Sequence, residues 1–193
     1  MNKKLTLTVG IPTCYGGPSL LATVKSIYAS VGVRPDRFII CADRTPLAPE
    51  LKQELEEMGV EIIWNEVEGS QSKKIKQILE KVQTELFVCT QDDVIFDQNA
   101  LKEIIRSFQA DSSVTMVGVN TMPLPPVTFF EFAMASMLRM NNRIGRHWNG
   151  GSNYLMAGGR CLAFRTSFYK KGRIIDHVVN GDMFFYLENK ALG

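Results

Sequence analysis

Histidine and cysteine are scarce in this chain of 193 residues, with two and four respectively. Cys14, Cys41, Cys89 and Cys161 lie far apart with no C-x-x-C pair, and His147 and His177 stand alone, so a Cys/His zinc site is not expected. Three of the cysteines fall in or beside apolar runs, the pattern of buried free thiols in a reducing compartment. No charge of one sign dominates either. Lys+Arg 22 against Asp+Glu 20 leaves +2, too balanced for a nucleic-acid surface. No apolar signal core follows the two N-terminal lysines, and no N-x-S/T sequon occurs. The one doubtful segment, PLPPVTFFEFAMASMLRM, is broken by three prolines, a Glu and an Arg, so no transmembrane span and a cytoplasmic location are expected. The common phosphate loops, G-x-x-x-x-G-K-[ST] and G-x-G-x-x-G, are absent.

What is present is a soluble composition, 45% hydrophobic and 22% charged, arranged as alternating strand and helix periods. The strand-like runs are Leu5 to Ile11, ended by Pro12, then Arg37 to Ala42, VEIIWNE, LFVCT and Val114 to Asn120. Between them run helical stripes: Leu20, Leu21, Val24 and Ile27; then Leu47, Leu51, Leu55 and Met58; then Ile75, Ile78, Leu79 and Val82; and last Leu101, Ile104, Ile105 and Phe108. This βαβαβαβαβ order predicts an α/β fold with a mostly parallel sheet flanked by helices. Right-handed crossovers then gather the strand C-terminal ends on one edge, where ligands of such sheets bind. After Asn120 the pattern changes to a proline-rich turn, a Phe/Met-rich helix over Phe129 to Met140, a basic loop NNRIGRHW and a glycine-rich NGGSNYLMAGGR before a short strand. No linker or repeat divides the chain. The expectation is one domain over 1-193, with a ligand-binding half at 1-120 and a second half at 121-193 that folds over the strand ends.

The strongest chemical signal is Asp92-Asp93, two adjacent carboxylates directly after the apolar run LFVCT. Two like charges at the end of a buried strand repel and resist desolvation. A hard divalent cation would remove that repulsion, because Mg²⁺ or Mn²⁺ is typically held by one or two carboxylates together with substrate phosphates. A solvated turn is the plain alternative.

PTCYGG after strand one, Asp43 after strand two, EGSQSKKIKQILEKVQTELFVCTQDD, and a late glycine-rich strand followed by NGD together resemble family 2 glycosyltransferases of the GT-A fold. The resemblance runs over almost the whole chain. Its most specific part is register: that family has a basic residue about twenty positions before the last Asp of its D-x-D-like motif, and Lys73 holds that position relative to Asp93. The resemblance implies a nucleotide pocket begun by Pro12 and Thr13, with Tyr15 stacking on the base, although Cys14 intervenes where the family's aromatic usually follows the Thr. It implies that Asp43 accepts a hydrogen bond from the base, that Lys73 contacts the nucleotide, that Asp92 meets the ribose and that Asp93 ligates the metal. Gln91 stands where the family more often has its first Asp. Asp182 resembles the family's catalytic base, with Gly181 in place of the preceding Glu; a carboxylate at a helix N-terminus suits that task and also suits an N-cap. Asp176 and Glu188 are less well placed rivals.

The implied activity is transfer of a sugar from a nucleotide-diphosphate sugar, a UDP-sugar being favoured, to an acceptor hydroxyl with inversion, assisted by Mn²⁺ or Mg²⁺. The acceptor side would include Gly158-Gly159-Arg160, with His147 and Trp148 as candidate lining residues. The Phe/Met helix with Arg139, Arg143 and Arg146 reads either as a core cover or as a surface touching a lipid-linked acceptor. A sugar-nucleotide binding module without turnover and an α/β nucleotidyltransferase remain as alternatives.

Overall fold

The computed structural model describes residues 5–169 and 181–192. Six strands form one sheet: β1 (Leu7–Thr13), β2 (Arg37–Ala42), β3 (Val60–Trp64), β4 (Leu86–Thr90), β5 (Met116–Gly118) and β6 (Cys161–Arg165). Their spatial order is β3-β2-β1-β4-β6-β5. The first four run parallel, and β6 lies antiparallel to both β4 and β5. The helices are α1 (Pro18–Tyr28), α2 (Pro49–Glu57), α3 (Gln71–Lys81), α4 (Ala100–Ala110), α5 (Phe129–His147), the single turn α6 (Thr166–Tyr169) and α7 (Gly181–Leu192).

Strand residues alternate between two apolar layers, as period-2 side chains must when both faces of a sheet are covered. Phe38 and Ile40 of β2, Leu86 and Val88 of β4, and Cys161 and Ala163 of β6 pack in one layer with Leu20 and Val24 of α1, Leu55 of α2 and Phe108 of α4. Ile39 and Cys41, Phe87 and Cys89, and Leu162 and Phe164 point to the other, with Ile78 of α3, Tyr169 of α6 and Phe185 of α7. Phe87 and Phe164 stack across neighbouring strands at 6.5 Å, and truncating either to Ala should cost about 3–5 kcal/mol. Gly10 lets this layer close over β1: a Cβ there would stand 2.6 Å from the Phe87 ring and 2.7 Å from Ile78.

Three expectations are corrected. Pro12 does not end β1: it pairs in register with Cys41 of β2, and the strand runs on to Thr13. Beyond Gly10 the other neighbour, β4, no longer pairs, so the missing proline N–H interrupts no ladder there. The fifth strand is confined to Met116–Gly118 instead of running from Val114 to Asn120, and β6 from the second half pairs with both it and β4. The basic segment NNRIGRHW is helix rather than loop, since α5 continues to His147. Tertiary contacts override its weak helix formers. Gly145 lets Met156 approach, where a Cβ would stand 2.6 Å from the sulfur. Asn153 donates to the carbonyls of Gly145 and Trp148, both at 2.7 Å, and so satisfies groups at the helix C-terminus.

Candidate active site

The ends of β1, β2 and β4 and the start of β6 share one edge, because β6 runs against the others and Cys161 sits opposite Thr90. Thr13, the last residue of β1, is buried, and its hydroxyl donates to the Asp92 carboxylate just past β4. The same oxygen accepts from the Gly16 N–H at 3.2 Å, which closes the turn 13–16. Gly16 has φ +51, and any Cβ there would collide with Leu47. Asp92 is half-buried in this arrangement, whereas Asp93 is exposed and faces a groove also lined by Arg160. The two acids therefore occupy different environments despite being adjacent.

Past β2, Asp43 is fully buried. Its Oδ1 accepts from Lys74 Nζ at 2.8 Å and its Oδ2 from the Gly69 N–H at 2.8 Å. Lys74, 1% exposed, also donates to Cys14 Sγ at 3.1 Å. Burial pushes the Asp43 carboxyl up, but the Lys74 ammonium and the Gly69 N–H outweigh it and hold it below the usual range. Burial pulls Lys74 down, yet Asp43 and Cys14 raise it above an ordinary lysine. The pair thus stays charged and ties β2, the β1 loop and the start of α3 into one unit.

Lys74 escaped the sequence reading, which singled out Lys73. The signal was available: Lys74 stands four residues before Ile78 and one before Ile75, on the apolar stripe of α3, where a lysine needs a buried partner. Lys73 is exposed in the first turn of α3, its backbone N–H donating to the Ser70 cap at 3.0 Å and its stem lying over Gly69. Tyr15 is 65% exposed, with Arg44 donating to its hydroxyl at 3.0 Å and the guanidinium 5.7 Å from its ring. Arg44 adopts φ 63 and also pairs with Glu68, so a strained, doubly held arginine lies beside this ring. Pro12 is buried within β1.

On the other side, the Arg160 carbonyl accepts from the Thr90 hydroxyl at 2.7 Å and from the Gln91 N–H at 3.3 Å. This links the 158–160 turn to the Asp92-Asp93 turn. Asp182, in the first turn of α7, lies so close over Gly159 that a Cβ there would overlap both carboxylate oxygens. Burial raises its carboxyl above the usual range, and the Gly159 backbone N–H draws it partly back. Trp148 meets Tyr154 edge-on at 5.3 Å, and both line a small depression with Tyr186, one turn after Asp182. Asp176 and His177 lie outside the described residues. All four cysteines are free, and three are buried; burial lifts Cys41 to about 11 and Cys161 to about 12. Among the described residues no group of three or more His, Cys, Asp or Glu side chains is placed to hold a metal ion by itself. No helix among them is long and apolar enough to cross a membrane.

The sequence profile described as Glycosyltransferase like family 2 matches residues 6–186. The chain belongs to this family. No curated protein matches it by sequence. Among solved structures, it is similar to the mannosyltransferase PcManGT from Pyrobaculum calidifontis in complex with GDP-Man and Mn²⁺, at 14% identity and TM-score 0.65, over 88% of this chain and 47% of that one. It is also similar to S. aureus TarS, at 14% identity and TM-score 0.63, over 96% of this chain and 33% of that one. A third is glucosyl-3-phosphoglycerate synthase from Mycobacterium tuberculosis in complex with UDP, at 10% identity and TM-score 0.54, over 85% and 58%. This family 2 chain therefore spans between 33% and 58% of the length of these three structures and shares with them the GT-A fold.

Proposed function

We propose that this chain moves a sugar from a nucleotide-diphosphate sugar to an acceptor hydroxyl, with inversion at the anomeric carbon. The observation that carries this reading is the continuous edge from Thr13–Asp92 through Asp93 and Arg160 to Asp182 over Gly159, in a chain of this family. Tyr15 and Lys73 are assigned to the nucleotide's outer side and Asp92 to its ribose. Both oxygens of Asp43 are engaged, so its part toward the base is carried with Lys74 and Cys14, and only Cys14 of the three is partly exposed. Asp93 is assigned as the metal ligand. A bound Mn²⁺ or Mg²⁺ there would offset charge developing on the diphosphate leaving group.

Asp182 takes the acceptor proton as the hydroxyl attacks in line, and its raised pKa suits a base that must work near neutral pH. The complexes of PcManGT with GDP-Man and Mn²⁺ and of the mycobacterial synthase with UDP support a nucleotide-sugar donor with either base. The test is a thermal-shift scan across UDP, GDP, CDP and dTDP sugars with Mn²⁺. One donor should raise the midpoint, and the rise should vanish in Asp93→Ala. No shift with any pair sinks the assignment, and a shift with neither transfer nor donor hydrolysis would make the chain a binding module.

A further inference from the structure

Helix α5 carries an apolar face that nothing among the described residues covers. At about 100° per residue, Phe129, Phe130, Ala133, Met137, Met140 and Ile144 fall within one arc of about 100°. Phe129 is 88% exposed and Phe130 72%, and Val127, just before the helix, is 91% exposed. Elsewhere on the helix Gly145 packs against the turns at 148–156, and the buried Ala135 lines a groove beside residues 93–97 and 119–127. Beside the apolar arc run Arg139, Arg143 and Arg146, all exposed. The one acid in α5, Glu131, is turned back on the helix start, where it accepts from the Val127 and Thr128 N–H groups at 2.7 and 3.0 Å. An exposed apolar patch of this extent marks an interaction surface.

We propose that α5 lies on an anionic lipid bilayer, its Phe/Met face in the headgroup boundary and its arginine row on the phosphates. A row of aromatic and Met side chains beside a row of arginines is the pattern of a helix lying in the interface plane. Charge complementarity selects this occupant over a second copy, which would crowd six arginines into one seam. At Met137 this face borders a groove that leads inward. The groove, of about 760 Å³ between α5, residues 119–127 and residues 93–97, is lined by Phe96, Met122, Pro125 and Leu138, shares Met134 and Met137 with α5, and reaches Asp93. Resting on the glycosyl-transfer reading, the acceptor is then a lipid-borne hydroxyl compound whose apolar portion occupies this groove.

The test is sedimentation of the intact chain with equimolar phosphatidylglycerol–phosphatidylcholine vesicles and with pure phosphatidylcholine vesicles. Binding should be confined largely to the anionic vesicles and weaken as salt is raised. The Arg139→Gln/Arg143→Gln/Arg146→Gln variant should bind roughly a hundredfold more weakly, at roughly fivefold per charge near an anionic surface. Phe129→Ser/Phe130→Ser should lose binding to the anionic vesicles while keeping the parent circular dichroism. No sedimentation, sedimentation indifferent to both variants, or light-scattering dimers abolished by the Phe changes would each overturn the proposal. Asp93→Ala must bind vesicles like the parent. Loss of vesicle binding with nucleotide stabilisation intact therefore refutes the bilayer alone, and the converse refutes the transferase reading alone.

Discussion

Replacing Lys74 with methionine keeps an unbranched side chain but removes an ammonium from a site where Lys74 is 1% and Asp43 0% exposed. The variant leaves the Asp43 carboxylate with the Gly69 N–H at 2.8 Å and the Cys14 thiol but without a counter-charge. Breaking a buried pair from one side typically costs about 3–5 kcal/mol. The surviving Gly69 bond puts the expectation near the lower end, about 3 kcal/mol, or roughly 6–12 °C of midpoint for a chain of this length. Asp43 has a lowered pKa, so its contribution is full above the ordinary carboxylate value of about 4 and fades as pH falls through the folded value. Lys74 has a raised pKa, so its contribution is full below the ordinary lysine value of about 10.4 and fades as pH rises through the folded one. The gap between parent and Lys74→Met should accordingly be flat across the neutral range and shrink at both extremes. The assay is urea unfolding followed by circular dichroism, with exposed Lys73→Met as the control, expected within about 0.5 kcal/mol of the parent. Lys74→Met/Asp43→Leu should recover most of the loss, because no charge is then left unpaired. A Lys74→Met loss no larger than that of Lys73→Met would refute the claim that this pair ties β2, the β1 loop and the start of α3 together.

Asp182→Asn should lower turnover by about 10²–10⁴-fold without moving donor-induced stabilisation. In the parent, the acid limb of the pH–rate profile should lie above the ordinary carboxylate range, since burial raises Asp182; a limb at or below about 4 would oppose its role as base. Gly159→Ala should also depress turnover, because the new Cβ must displace the Asp182 carboxylate, and unchanged steady-state kinetics would show that this contact is irrelevant. Gly118→Ala places a Cβ onto the Met156 carbonyl oxygen, so it should destabilise by about 1–3 kcal/mol of overpacking in chemical denaturation.

The alternation of strands and helices, the parallel first half and the placing of Asp43 and Asp92-Asp93 just past strand ends were all legible in the sequence. Each follows from local periodicity: a run such as LFVCT is apolar on both faces only if helices cover both. The free, buried cysteines were legible for the same reason. The full length of α5 was not, because its last turns use Asn, Gly and His, and only Asn153 and Met156 from the following turns favour helix there. Nor was the insertion of β6 between β4 and β5, since strand order depends on contacts between residues about seventy positions apart.

Local pattern determined which residues reach the ligand edge, but tertiary structure decided what each does there. Asp43 and Asp93 both read as acids past a strand. Burial closed one against Lys74 and left the other open on a groove. Lys73 and Lys74 differ by one position and one helical face, which separates a solvated cation from a buried counter-ion. Periodicity along the chain gives the face; only the packed partner, thirty-one residues away at Asp43, gives it a charge to meet.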